Sequence, residues 1–239
     1  MACAEKPSMP NLPYEDFAEY YLPNFYKPPV TIAIGDKELK VSKDLLCQHS
    51  SYFTAMFDGH FKESKEQLAV MAEIEGVVSV RSFKILLQWI HTGHIRFRDE
   101  EPEVQVTAAI EFARLADMLG LKDTEPHVAE IVSNAILMDC ASATIENYVN
   151  THIRYITSTH IRDAACLPRG HLIRHHLARA AVKPYLSAGE FKFAQESQDV
   201  PEFALDLLRE TRPAIRSIKV TNKHAYFRDP IGGGGCTLR

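Results

Sequence analysis

Apolar residues change their spacing twice along the chain, and each change predicts a different kind of element. "VTIAIGDKELKVS", from Val30, sets β-branched and aliphatic residues on both sides of Gly35-Asp36, and its second half alternates Leu39 and Val41 with Lys40 and Ser42. Period-two spacing around a Gly-Asp turn predicts a β-hairpin. In "KDLLCQHSSYFTAMF" the spacing becomes helical, through Leu45, Leu46, His49, Tyr52, Phe53 and Met56, and Ser50-Ser51 can restart the chain as a second short helix. The heptapeptide "DGHFKES" follows as a polar connector interrupted by one aromatic, Phe61, and "QLAVMAEI" after it predicts a third strand. "SVRSFKILLQWIHTG" places Val80, Phe83, Leu86, Leu87 and Ile90 on one helical stripe, with Ser79 as N-cap and Gly93 as stop. Two more amphipathic helices are expected, one carrying Val106, Ala109, Ile110, Ala113, Ala116 and Leu119 up to Gly120, the other starting at Glu125.

Beyond Asp139 the pattern is helical only. Ile145, Tyr148, Val149, His152, Ile153 and Ile156 form one stripe; Leu172, Ile173, His176, Leu177, Ala180 and Ala181 a second; Val200, Phe203, Ala204, Leu207 and Leu208 a third. Early strands and late helices predict an α+β fold in which a small β-sheet is capped by helices, followed by an all-helical C-terminal region. The expected divisions are a Pro-rich N-terminal segment over residues 1–29, the α+β domain over 30–138, the helical region over 139–216 and a flexible tail over 217–239. Six prolines in the first 29 residues forbid a long helix there, although "YEDFAEYY" has room for two turns. The tail is assigned from "GGGG" and its short polar tip.

Composition narrows the chemistry. With 239 residues, of which 46% are hydrophobic, the chain can bury a sizeable core. The five cysteines are scattered and contain no CxxC pair, which argues against a disulfide framework or a structural zinc site. A net charge of −4 with interspersed signs offers no basic face to nucleic acid, so protein partners are expected. No apolar run is long enough for a membrane span and no secretory leader is visible, so the expected location is intracellular, in cytoplasm or nucleus. No GxSxG, HExxH, P-loop or GxGxxG occurs, and Cys47 and Cys140 sit among apolar neighbours, so no catalytic residue and no cofactor is assigned. His171 and His175 stand one helical turn apart with His176 beside them, but a metal site needs three or four ligands; they are assigned to surface or capping roles and no metal is expected. Cys236 is the fourth residue from the end, as prenylation requires, but Arg239 is a poor final residue for it.

The ordered series of the hairpin, "KDLLCQHSSYFTAMF", "FKES", "FKILLQWIHTGHI" and "AAIEFARLADMLGL" resembles the BTB/POZ domain over residues 30 to about 136. The resemblance implies a non-catalytic interaction module that commonly self-associates and in many members joins a substrate to a cullin-type ubiquitin ligase scaffold. Cullin adaptors of the family carry a hydrophobic residue, any residue, then glutamate just before the third strand, and Phe61-Lys62-Glu63 matches in type and place. Phe61 and Glu63 are therefore the candidate cullin contacts; an inward-folded Phe61 anchoring its own loop is the alternative. The chain departs from the family at Pro29, where many members have an acid before the first strand, and at Ser42 before Lys43, which leaves Lys43 without that acid and puts homodimerisation in question. Residues 140–215, "HIRDAACLPRGHLIRHHLARAAV" above all, are similar to the C-terminal helical region of BTB proteins from filamentous fungi. Two roles follow from the resemblance: a ligase substrate adaptor, or a homo-oligomerisation or regulatory scaffold module with no ligase role.

Overall fold

The Gly35-Asp36 turn closes strands β1 (Val30–Ile34) and β2 (Lys37–Val41), which pair antiparallel with Val30 opposite Val41 and Ile34 opposite Lys37. Alternation buries Val30, Ile32, Ile34 and Val41 and leaves Lys37, Glu38 and Lys40 in solvent. β3 (Leu68–Met71) runs parallel to β1 on its other side, giving the order β2-β1-β3. The computed structural model describes residues 13–21, 29–98, 101–138, 148–221 and 224–238. It divides into two compact units, Met1–Glu100 with Glu111–Val128, and Glu101–Ile110 with Ala129–Arg239.

In the first unit the helices that follow the hairpin are defined by their caps. Ser42 Oγ accepts from the Leu45 N–H at the head of α2 (Lys43–His49), and Ser50 Oγ accepts from the Phe53 N–H at the head of α3 (Ser51–Asp58). Each serine satisfies a backbone donor that the helix itself leaves unpaired, so two short helices form as the Ser50-Ser51 pair predicts. Ser50 also donates to the Leu119 carbonyl at 2.7 Å, which ties the junction of the two helices to the end of α6 (Pro102–Leu119). Next come a short helix α4 (Lys62–Glu66), β3, and α5 (Val80–Thr92), whose cap Ser79 exchanges hydrogen bonds with Ser82 in both directions and whose end falls at Gly93. Four residues of the stripe predicted for α5, Phe83, Leu86, Leu87 and Ile90, are in the core, while Val80 at the head of the helix is half-buried. Phe53 stacks on Phe57 at 6.1 Å and meets Phe83 edge-on at 6.2 Å. Each fully buried phenylalanine stabilises the unit by roughly 1.5–3 kcal/mol relative to an exposed one. Trp89 is buried beside them, edge-on to His49 at 5.6 Å.

Part of the Pro-rich segment belongs to this core. α1 (Tyr14–Asp16) runs on as a wider π-helical turn over Phe17–Tyr21, and Tyr14 and Phe17 are buried. Phe17 lies 5.2 Å from the His91 ring, Glu19 pairs with Lys84 at 2.7 Å, and Asp16 pairs with Arg98. The remainder of residues 1–29, apart from Pro13 and Pro29, lies outside the described residues.

The second unit contains part of α7 (Glu125–Leu137), a 3-10 turn over Tyr148–Ile153, and α8 (Ser158–Ala165), α9 (Leu172–Ser187), α10 (Glu196–Asp199) and α11 (Pro201–Arg216). Most of the helix expected from Ala141 lies outside the described residues, and only the turn is seen in its second half. α9 and α11 pack through Leu177 and Leu207, with Phe193 and Phe203 edge-on at 6.1 Å. A buried ion pair crosses between them: Arg174 Nε donates to Asp206 Oδ2 at 2.7 Å, and its Nη1 donates to the Leu167 carbonyl at 2.9 Å. His160 is buried at the head of α8, where its Nδ1 accepts from the Thr157 N–H and its Nε2 meets Thr107 Oγ1 at 2.8 Å. An accepting Nδ1 requires the neutral ring, and burial, with Lys192 adding, pushes the His160 pKa down to about 4.

The flexible tail expected over 217–239 is corrected by a second sheet. β4 (Lys219–Thr221), β5 (His224–Arg228) and β6 (Gly235–Thr237) form an antiparallel sheet in that order. The glycines serve as a turn between β5 and β6: the Asp229 N–H donates to the Gly234 carbonyl, the Gly233 N–H to the Asp229 carbonyl, and Asp229 Oδ1 accepts from the Ile231 N–H. Gly233 has φ +69°, a left-handed conformation that side chains disfavour, so a glycine there builds the turn. On either side of it Phe227 of β5 and Cys236 of β6 are buried, and Ser187 donates to the Thr237 carbonyl at 2.8 Å. Composition alone reads a glycine run as flexible, but these backbone bonds hold it.

Candidate protein-interaction site

The turn between α3 and α4 carries the residues singled out by sequence. α3 ends at Gly59, where an added Cβ would lie 2.4 Å from the Ala55 carbonyl oxygen and 3.0 Å from Phe61 Cδ2. A side chain at position 59 would therefore collide with both the helix end and the Phe61 ring. Phe61 itself has extended backbone and occupies the N-cap position of α4, without a side-chain capping bond. "FKES" is thus the head of a short helix and not the polar connector expected, because the Lys62–Glu66 pair at 3.4 Å and a left-handed Gln67 close one full turn. Gln67 then fixes the turn to the sheet: its N–H donates to the Glu63 carbonyl and its carbonyl accepts from the Thr31 N–H, both at 2.9 Å.

The Phe61 ring is 60% exposed, so it projects from the domain and is not folded beneath its own turn. Glu63 sits in the first turn of α4, half-buried, and its carboxylate has no hydrogen bond or ion pair among the described residues. Phe61 and Glu63 stand two residues apart at the head of α4, on a turn whose far end Gln67 ties to Thr31 of β1. An exposed ring can fill a partner's apolar pocket, and a carboxylate two residues on, without a partner among the described residues, can accept a hydrogen bond from that partner. Nearby, Lys43 meets Asp58 at 2.8 Å, and this pair raises the lysine pKa; the residue left without the family's usual acid finds another at the end of α3.

The BTB/POZ domain family profile matches residues 28–134. Residues 28–134 are a BTB/POZ domain. The chain is 26% identical over 107 residues to Kelch-like protein 2 of Homo sapiens, and equally to that of Rattus norvegicus; the match covers 45% of this chain and 16% of either relative. It therefore spans only a small part of the length of those relatives. Among solved structures, the BTB domain of zebrafish PATZ1 aligns with 19% identity and a TM-score of 0.34 over 44% of this chain and 75% of that one. The BTB/POZ domain is a protein-interaction module, and its edge β3 adds one more exposed apolar side chain, Val70 at 76% exposure.

Outside the BTB/POZ domain the histidines take different roles. His171 caps α9, its Nδ1 accepting from the Ile173 N–H at 3.2 Å, and His175 Nδ1 lies 3.0 Å from Glu210 Oε1. Among the described residues no group of three or more His, Cys, Asp or Glu could hold a metal ion. No helix among them is long and apolar enough to cross a membrane. Sequence reasoning did not anticipate Glu210 beside His175, nor the open groove between α9, α11 and the β5–β6 turn to which both contribute. Its residues are far apart in sequence and one wall is the tail read as flexible, so no linear signal marks it.

Proposed function

We infer that the chain is a substrate adaptor of a cullin-type ubiquitin ligase, acting in cytoplasm or nucleus, with Phe61 and Glu63 contacting the scaffold and the second unit holding the substrate. The observation that carries this is the exposed Phe61 ring on a turn pinned to β1 through Gln67, at the position where adaptors of the family meet a cullin. In this reading residues 140–215, which by sequence resemble the C-terminal helical region of filamentous fungal BTB proteins, form the part that holds the substrate. Biolayer interferometry of the full chain against a purified cullin tests it. Binding is expected for the wild type, with a loss of about tenfold or more for Phe61→Ala combined with Glu63→Ala, as for a hot-spot aromatic. A wild-type chain that does not bind sinks the adaptor role.

A separate observation favours homo-oligomerisation. β3 is an edge strand, and the exposed Val70 on it offers apolar surface to a second copy. Light scattering over a range of concentrations should then show a dimer that Val70→Lys converts to monomer. A monomer at every concentration removes this role.

A further inference from the structure

The groove of the second unit has a volume of about 700 Å3, within the usual range for ligand sites of roughly 300–1,000 Å3. Its side walls include Leu172 on α9, Pro213 on α11 and Ile231 in the β5–β6 turn. Two carboxylates line it, and both are already matched by cations. Glu210 lies between His175 Nδ1 at 3.0 Å and Arg179 Nε at 3.8 Å. Asp229 is buried with Lys183 Nζ at 4.0 Å and His152 Nδ1 at 3.7 Å from its Oδ2. Arg179 is further committed through a 2.5 Å hydrogen bond to the Pro230 carbonyl, which holds the turn against α9.

One cation is left over. The Arg228 guanidinium lines the groove, is exposed, and has no ion pair or hydrogen bond among the described residues. Gly233 leaves space beside it, since a side chain there would begin 3.7 Å from Nη2. The His176 ring, also on the wall, has no hydrogen bond among the described residues, and burial, then Arg179 and His175, holds its pKa below the usual histidine value. A neutral imidazole supplies one N–H donor without adding charge. A planar guanidinium fork takes a carboxylate through two parallel hydrogen bonds. Leu172 and Ile231 then offer a surface to an apolar group attached to that carboxylate.

We propose that this groove binds a short acidic and apolar peptide segment of a partner protein, its carboxylate on Arg228 and its neighbouring apolar side chain on Leu172 and Ile231. A peptide fits better than a free inorganic anion because the groove is open to solvent and its apolar walls exceed what a phosphate can cover. The site lies in the second unit and Phe61 in the first, so peptide binding and cullin binding stand or fall separately.

Fluorescence anisotropy on the full chain tests the site, using a labelled short peptide of alternating glutamate and leucine. Three further arms are the same peptide with lysine for glutamate, inorganic phosphate as competitor, and the Arg228→Ala and Ile231→Asp variants. The glutamate peptide should bind and the lysine peptide should not; each variant should weaken binding by about tenfold or more, the value of one charge-assisted contact or one apolar anchor. Both substitutions are at exposed or half-exposed positions, and thermal melts should match the wild type. No binding by the wild type, equal binding of the lysine peptide, or unchanged affinity in both folded variants overturns the proposal. Displacement by phosphate at the peptide's own concentration also overturns it, assigning the groove to a small anion.

Discussion

Replacing Phe61 by alanine separates a ring that meets a partner from one that holds its own turn, provided Phe57 is replaced alongside it. The two phenylalanines stand four residues apart in the same unit, Phe57 fully buried and Phe61 60% exposed. Full burial of a phenylalanine side chain stabilises by roughly 1.5–3 kcal/mol, so the buried two fifths of Phe61 contribute about 1 kcal/mol at most. Phe57→Ala removes a packed ring and leaves a cavity, which costs about 3–5 kcal/mol. Trp89 is the single tryptophan of the chain and lies in that unit's core, so its fluorescence during urea unfolding reports on the unit that holds both residues. The expected outcome is a midpoint close to wild type for Phe61→Ala and a large drop for Phe57→Ala, with unchanged slopes. If Phe61→Ala is as destabilising as Phe57→Ala, the ring is an anchor of the fold, and the exposed-contact reasoning fails.

Three further outcomes follow from the geometry. Gly59→Ala should lower the melting temperature and weaken cullin binding although Phe61 and Glu63 are intact; a Cβ 2.4 Å from the Ala55 carbonyl forces the backbone to move, at about 1–3 kcal/mol, and an unchanged melt counts against the clash. Arg174→Ala leaves buried Asp206 with only the longer Arg209 Nη1 contact at 3.6 Å, so urea unfolding followed by far-UV circular dichroism should show a loss of up to about 3–5 kcal/mol, and a loss under about 1 kcal/mol would mean that Arg209 or solvent compensates Asp206. His160 has a folded pKa of about 4 against the ordinary histidine value of about 6.5, so between these values the unfolded chain holds the extra proton and stability rises with pH. The His160 contribution is complete above about pH 6.5, falls by about 3 kcal/mol towards pH 4, and should flatten in His160→Gln when unfolding is measured across that window.

What was legible in the sequence was local. Ser42, Ser50 and Ser79 are capping residues next to apolar stripes, so helix starts follow from side-chain chemistry within three residues. The Gly35-Asp36 turn set the hairpin in the same way. The short helix α4 was not legible because its five residues carry no apolar period; it is held by the left-handed Gln67 and by bonds to the sheet, which only the folded chain supplies. The two turns of "YEDFAEYY" were legible, but the burial of Tyr14 and Phe17 was not, since it depends on α5 packing against them. At the candidate site the identities of Phe61 and Glu63 were readable, but exposure was not, since an aromatic in a polar run is equally consistent with either direction. The groove was hidden for a similar reason: the pairing of Glu210 with His175 and of Asp229 with Lys183 depends on helices and strands whose contact is a tertiary fact.

The closed β5–β6 turn changes how the C-terminal end should be handled. A run of four glycines invites trimming as though it were a disposable linker. Here β6 carries the buried Cys236 opposite the buried Phe227, and Leu238 donates back to the Ala225 carbonyl at 2.8 Å. Deletion from Gly235 onward would strip one side of β5 of its backbone partners and uncover Phe227, replacing a folded surface with an open strand edge of the kind that recruits other chains. For this protein a shortened tail is a route to aggregation, and a protease that cuts between Gly232 and Gly234 would report local unfolding instead of a floppy end.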